Sequence, residues 1–332
     1  MCSAPRTLAL VDRPDPEPRA GEAVVRIRRV GVCGTDFHIL AGKHPYLTYP
    51  RVMGHELAGE LVHVPSGSAL RPGTRVAIVP YLACGTCRAC RRGIANACQR
   101  LSVLGVHQDG GMAEYLAVPD ANLIETPDLD FDEAAMIEFL AIGAHGIARG
   151  GVTASDRLLV IGAGPIGMSA ILFAALRGAE VVALDTHEDR LIVARERLGA
   201  ARTVTVTDAL DATLAELTGG EMFDVVVDAT GSAASIARGL NFVGHGGRHV
   251  LLSVVRDDIS FPDPEFHKRE TTLLASRNAT ASDFDRVIAA LRAGKVPTRS
   301  LRTHSAALAD GVAALTGWMD PSAGVIKALL HA

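Results

Sequence analysis

LLVIGAGPIGMSAILFAALRGAEVVALD, running from Leu158 to Asp185, is the stretch on which the fold turns. It opens on four β-favouring residues, meets a glycine-rich turn, and then runs apolar as far as Leu176. The uncharged run Leu158 to Leu176 is close to the length of a membrane span. Gly162, Gly164, Pro165 and Gly167 interrupt it early, however, which suits a strand, a tight turn and a buried helix. The glycines spell GxGxxG between that strand and that helix, where bare backbone lets a pyrophosphate approach the amides of a helix N-terminus. A GxGxxG alone is a weak signal, and the context strengthens it. Asp185 closes the second strand about 20 residues on, where a carboxylate accepts bonds from an adenosine ribose and repels a 2′-phosphate. The expected cofactor set is therefore Gly162, Gly164, Pro165, Ile166, Gly167, Asp185 and Arg190. NAD is expected over NADP, although Arg190 leaves room for NADP and the plain alternative makes Asp185 a strand-end turn residue.

The same alternation continues to Val255 through EDRLIVARERLGA, FDVVVDATG and GGRHVLLSV, which argues for a doubly wound parallel sheet. Earlier, AVVRIRRVGV, ELAGELVHV, PGTRVAIVP and GGMAEYLAVP are short apolar strands separated by Gly and Pro turns, and they read as a compact β-rich domain. DFDEAAMIEFLAIGAHGIARG and DFDRVIAALRAGKVP carry helical spacing. A chain of 332 residues accommodates two such domains. The composition is 48% hydrophobic and 21% charged, as in an ordinary globular enzyme. A net charge of −4 offers nucleic acid no electrostatic footprint, and RACRRG at Arg88 to Gly93 reads as a solvated face. The first residues lack the basic and apolar regions of a secretory signal, so the six cysteines are expected in reducing cytoplasm, as metal ligands before disulfides.

Four of them, Cys84, Cys87, Cys90 and Cys98, form CxxCxxCx7C in ACGTCRACRRGIANAC. Turns at this spacing bring four thiolates to one tetrahedral ion. A pair of disulfides and an iron–sulfur cluster are the alternatives; a structural zinc, closed to chemistry, is the expectation. A second constellation lies in GVCGTDFHILAGKHPYLTYPRVMGHE, Gly31 to Glu56. Cys33 and His55 are ligands of the kind zinc takes, and Glu56 or a distant residue supplies a third, leaving one position open for water or substrate. Thr35 and His38 follow the thiol closely enough to pass a proton outwards.

GVCGTDFH followed by GHELAGELV resembles the signature of the zinc-dependent medium-chain dehydrogenases, the family of alcohol, sorbitol and threonine dehydrogenases. VLGVHQDGG at Val103 to Gly111 and DPEFHKRETTLLASRNAT at Asp263 to Thr280 resemble the sorbitol dehydrogenase-like branch near the L-galactonate 5-dehydrogenases. The resemblance implies an α/β chain with a Rossmann domain over 135–289. It also implies a GroES-like catalytic domain with a structural zinc lobe over 1–134 and 290–332, and a cleft between the two holding zinc and nicotinamide. It makes Glu56 the third ligand, with Glu138 binding directly or through water. EFL at Glu138 is similar to an EPL-type segment of that branch, with Phe139 in place of proline; the bland reading leaves Glu138 a hydrogen-bonded carboxylate near a helix end. It places Arg277 near substrate hydroxyls. His107, Gln108 and Lys43, near the motifs expected to line the cleft, are further candidate donors, and the plain alternative gives Arg277, His107 and Gln108 a surface or packing role. The resemblance implies zinc and NAD as cofactors, a sugar acid or polyol as substrate, and a homodimer or homotetramer. Family members begin with a longer strand than this chain shows, so a late start at Met1 with a short first-sheet edge is an open expectation.

Overall fold

Six parallel strands make one sheet, in the spatial order Arg202–Thr205, Glu180–Asp185, Arg157–Ile161, Phe223–Asp228, Val243–Leu251 and Thr272–Ala275. Counted along the chain this is 3-2-1-4-5-6, the doubly wound arrangement, whose order reverses beside the first strand. Parallel neighbours need crossovers, and helices Pro165–Leu176, Glu188–Arg197, Leu210–Leu217 and Ala233–Gly239 supply them. Strands covered on both faces read as unbroken apolar runs; Leu158, Leu159 and Val160 are fully buried for that reason. Leu159, Val182, Leu184, Phe223, Val226 and Phe242 join in one core cluster, each side chain contributing about 1.5–3 kcal/mol. The run that mimics a membrane span is thus the strand Arg157–Ile161 and a 12-residue helix buried from Gly167 to Ala174. Among the described residues no helix is long and apolar enough to cross a membrane.

The computed structural model describes residues 1–44 and 47–332. The chain divides into two units, Met1–Glu138 with Ile288–Ala332, and Phe139–Val287. The first is built on a seven-stranded sheet in the order Arg302–Ala307, Lys327–His331, Glu22–Val32, Glu56–His63, Arg75–Ile78 and Leu123–Glu125, with Tyr115–Pro119 paired to Glu22–Val32. Its central strand, Glu22–Val32, is antiparallel to both neighbours, setting Gly31 opposite Glu56 on one side and opposite Leu329 on the other. Val25, Ile27, Val30, Leu57, Leu61, Ile78 and Leu330 form its core. The DFDEAAMIEFLAIGAHGIARG segment is two helices, Phe131–Ala135, capped by Asp130, and Ile137–Arg149. Phe139 is fully buried within the second, so the residue that stands where the resembling branch has proline continues the helix and fills core.

Candidate active site

The central strand ends at Val32, and Cys33 caps the helix Gly34–Leu40. Asp36, buried in that helix, accepts from the Cys33 backbone N–H at 2.9 Å and from the Gly54 N–H at 3.3 Å. One carboxylate therefore ties together the two segments that carry Cys33 and His55. Burial raises the pKa of Asp36, while the His55 ring and the Cys33 N–H oppose the shift. Gly54 has φ +94°, a left-handed turn that suits glycine. The VLGVHQDGG segment is the mould for this turn: Gly110, Gly111 and Met112 donate their N–H groups to Val52, Gly54 and Met53 at 2.8–2.9 Å. A Cβ on Gly110 would fall 2.1 Å from the Gly54 carbonyl oxygen.

Held this way, one ligand atom each of Cys33, His55 and Glu56 lie within 4.8 Å of one another. His55 and Glu56 are buried, and His55 Nδ1 has no hydrogen-bond partner. Burial works against a charged His55, but the Cys33 sulfur, Asp36 and Glu138 overcome it and hold the ring's pKa well above its ordinary value. A half-buried thiol beside a buried imidazole and a buried carboxylate is a donor set fitted to a zinc ion.

Two residues that the sequence reasoning missed complete the surroundings. Lys327 Nζ donates to both oxygens of Glu56, at 2.7 and 2.8 Å, and to the Val32 carbonyl at 3.2 Å, entirely out of solvent. Its access depends on Gly31, where a Cβ would sit 2.1 Å from Glu56 Oε2. A lone lysine in the apolar run GVIKALLHA was the available signal, since a buried charge has to be paired. Tyr81, for which the sequence carries no comparable signal, donates its hydroxyl to Glu138 Oε1. Glu138 lies in the first turn of the helix Ile137–Arg149 and is not one of the mutually close ligand set. Burial raises its pKa, the His55 charge pulls it down and Glu56 pushes it up.

The other expected residues lie on several separate segments. Thr35 Oγ1 lies 3.7 Å from Cys33 Sγ, and His38 is exposed in the last turn of the same helix. His107 Nδ1 accepts from the Val103 N–H at 3.1 Å and Gln108 donates to Ser102 at 2.8 Å, so both brace their own loop. Lys43 is exposed in the first unit, and Arg277 is exposed in the second, just past the strand Thr272–Ala275.

The four remaining thiols converge separately. Cys87 Sγ lies 3.4 Å from Cys90 and 3.9 Å from Cys98, Cys84 lies 4.0 Å from Cys90, and none is disulfide-bonded. The N–H groups of Cys84 and Arg100 point at Cys98 Sγ, each at 3.3 Å. Backbone N–H groups of Thr86 and Cys87 hold the Cys84 thiol down to about 5, while burial and the Cys87 thiol push Cys90 up to about 12. Four sulfurs this close ionise together only around a cation, and their closed set fits a structural zinc. Arg88, Arg91 and Arg92 face solvent around it.

In the second unit the glycine turn has the form a dinucleotide requires. Gly162 has φ +92°, and a Cβ on Gly167 would fall 1.7 Å from the Gly162 carbonyl oxygen, so helix and turn meet only through bare backbone. Gly164 caps the helix with open space where a side chain would be, Pro165 starts it, and Ile166 is half-buried behind. Asp185 Oδ2 accepts from the Ala163 N–H at 2.6 Å and Oδ1 from the His187 N–H at 2.8 Å. Burial would raise the pKa of Asp185; these N–H groups and the Arg190 charge reverse that and keep it ionised.

Residues 19–128 match the alcohol dehydrogenase GroES-like domain, and residues 165–293 match the zinc-binding dehydrogenase family. The chain belongs to the zinc-type medium-chain alcohol dehydrogenases, and it is an oxidoreductase of that class. Among its relatives, it is 41% identical over 305 residues to the L-galactonate-5-dehydrogenase of Escherichia coli (strain K12), a match spanning 92% of this chain and 90% of that one. It superposes with TM-score 0.93 and 31% identity on an alcohol dehydrogenase (rspB) from E. coli CFT073 complexed with NADH, covering 99% and 97% of the two chains. A zinc-binding dehydrogenase from Sinorhizobium meliloti 1021 bound to NADP gives 0.88 and 29%, covering 96% and 94%.

Proposed function

We propose that this protein oxidises a secondary hydroxyl of a sugar acid of the L-galactonate type, at the carbon next to the terminal CH2OH, with NAD+ as acceptor. The products are the keto acid, NADH and one proton. The observation that carries the chemistry is the convergence of Cys33 with the buried His55 and Glu56, three zinc-type donors within 4.8 Å of one another. Likeness over most of both chains to an L-galactonate-5-dehydrogenase supports the substrate class. When bound, zinc polarises the substrate hydroxyl as a Lewis acid and nicotinamide accepts the hydride. Cys33, His55 and Glu56 hold the metal. Thr35, beside the Cys33 sulfur, relays the proton, giving up its own hydroxyl hydrogen as it accepts the substrate's, and His38, three residues on in the same helix, receives it and releases one to solvent. Lys327 orients Glu56. Arg277 supplies a charge-assisted hydrogen bond to the substrate, and Gly162, Gly164, Gly167 and Asp185 bind the cofactor. The carboxylate of Asp185, kept ionised, favours a ribose 2′-hydroxyl over a 2′-phosphate.

A panel of aldonates, polyols, threonine and simple alcohols, followed by NADH absorbance, tests the assignment. The expected result is fastest turnover of an aldonate. Faster turnover of sorbitol, threonine or ethanol than of every aldonate would reject the sugar-acid reading and leave the dehydrogenase chemistry in place. Arg277→Ala is expected to lower kcat/KM by about one to two orders of magnitude, from about 1.5–3 kcal/mol, with NAD binding retained.

A further inference from the structure

Two carboxylates of the first unit, Glu56 and Glu138, are buried, yet of these two only Glu56 joins the mutually close set with Cys33 and His55. A catalytic zinc keeps three protein ligands and one open position; a fourth protein ligand closes it. Cys33, His55, Glu56 and Glu138 together would make four. Something in this chain must therefore keep Glu138 back, and the Tyr81 hydroxyl, donating to Glu138 Oε1, is placed to do so.

We propose that Tyr81 is a positioning residue that holds Glu138 off the Cys33, His55 and Glu56 set and so keeps the fourth metal position open. This rests on the reading of that set as the catalytic metal site. Tyr81 is buried, and its hydroxyl donates directly to the Glu138 carboxylate. Its backbone is fixed from two sides. Tyr81–Leu82 pairs with Ser102–Val103, closing the neck of the loop that carries Cys84 to Cys98, and Asn122 donates to the Tyr81 carbonyl at 3.1 Å. The phenol is thus delivered to Glu138 by the same segment that the four-cysteine lobe anchors, three residues before Cys84.

The test uses full-length protein with Co2+ as the probe metal, and takes the visible difference spectrum against Cys33→Ala to isolate cobalt at this set. Tyr81→Phe keeps the ring and loses only the hydroxyl. It is expected to change the cobalt bands, as Glu138 replaces solvent, and to cut kcat by about tenfold or more while KM for NAD moves less than about twofold. Tyr81→Phe with Glu138→Gln is expected to restore parent-like bands, a coupling that packing alone would not produce. Glu138→Gln alone is expected to leave the bands unchanged, and altered bands there would overturn the proposal even if Tyr81→Phe failed to fold. Unchanged bands in Tyr81→Phe, or additive effects of the two substitutions, would overturn it as well. Full cobalt content in Cys33→Ala would instead overturn the underlying assignment of the metal site.

Discussion

Lys327→Met is the substitution with the largest effect that can be worked from the geometry. It keeps a long apolar side chain and removes the ammonium that reaches Glu56 Oε1 at 2.7 Å, Glu56 Oε2 at 2.8 Å and the Val32 carbonyl at 3.2 Å. Burial favours loss of the lysine proton, but Glu56 and Cys33 outweigh it and hold the pKa above that of an ordinary lysine, so the pair is charged. The two side chains are 1% and 0% exposed, and water therefore cannot replace the lost partner. Removing one member of a buried pair costs about 3–5 kcal/mol. In a unit of this size each kcal/mol moves Tm by about 2–4 °C, so metal-stripped Lys327→Met should melt about 6–20 °C below the parent. A bound divalent cation supplies part of the missing charge at Glu56, so the loss should be smaller in metal-loaded protein. Calorimetry with and without chelator reads both effects. Adding Glu56→Gln to Lys327→Met should recover much of the loss, because the orphaned charge is gone. A metal-stripped Lys327→Met that melts within about 2 °C of the parent would refute the claim that the ammonium is the counter-ion of Glu56.

Metal analysis should find about two zinc ions per chain, because the two cysteine-containing sets share no residue; Cys33→Ala should keep one ion and the fold, whereas Cys87→Ala should lose the other and lower Tm. Asp185→Ser should narrow an NAD preference of about one to two orders of magnitude, measured as kcat/KM for NAD and NADP, since it removes the charge that opposes a 2′-phosphate. His249 is fully buried in the strand Val243–Leu251, neither ring nitrogen has a hydrogen-bond partner, and burial lowers its pKa to about 4. The folded state keeps it neutral while the unfolded chain protonates it below about 6.5, so stability should fall as pH drops from about 6.5 to about 4. The sum is about 3 kcal/mol, and His249→Leu should flatten that part of a Tm-against-pH curve.

Much of this molecule is local, and what is local can be read along the chain. Strand and helix periods between Leu158 and Val255 depend on neighbouring residues, so the alternation announces the doubly wound sheet. The glycine turn at Gly162 to Gly167 and the thiols from Cys84 to Cys98 each lie within one short loop, where spacing limits geometry. Cys33, His55 and Glu56 were legible because their residue types have few other uses together. Lys327 was not, since it lies 271 residues from Glu56 and reaches it only because two antiparallel registers place Gly31 between their strands. Nor was the task of VLGVHQDGG, whose glycines take the shape of a turn at Gly54 that they touch only in the fold. Glu138 shows the same division. Its carboxylate and helical setting are properties of its own segment, but whether it serves as ligand or stands back depends on a hydroxyl 57 residues away, brought to it by strand pairing at the neck of the cysteine loop. Residue types and spacing therefore settle which chemistry is available, whereas strand register, which sums contacts over the whole sheet, decides which of several eligible side chains performs it.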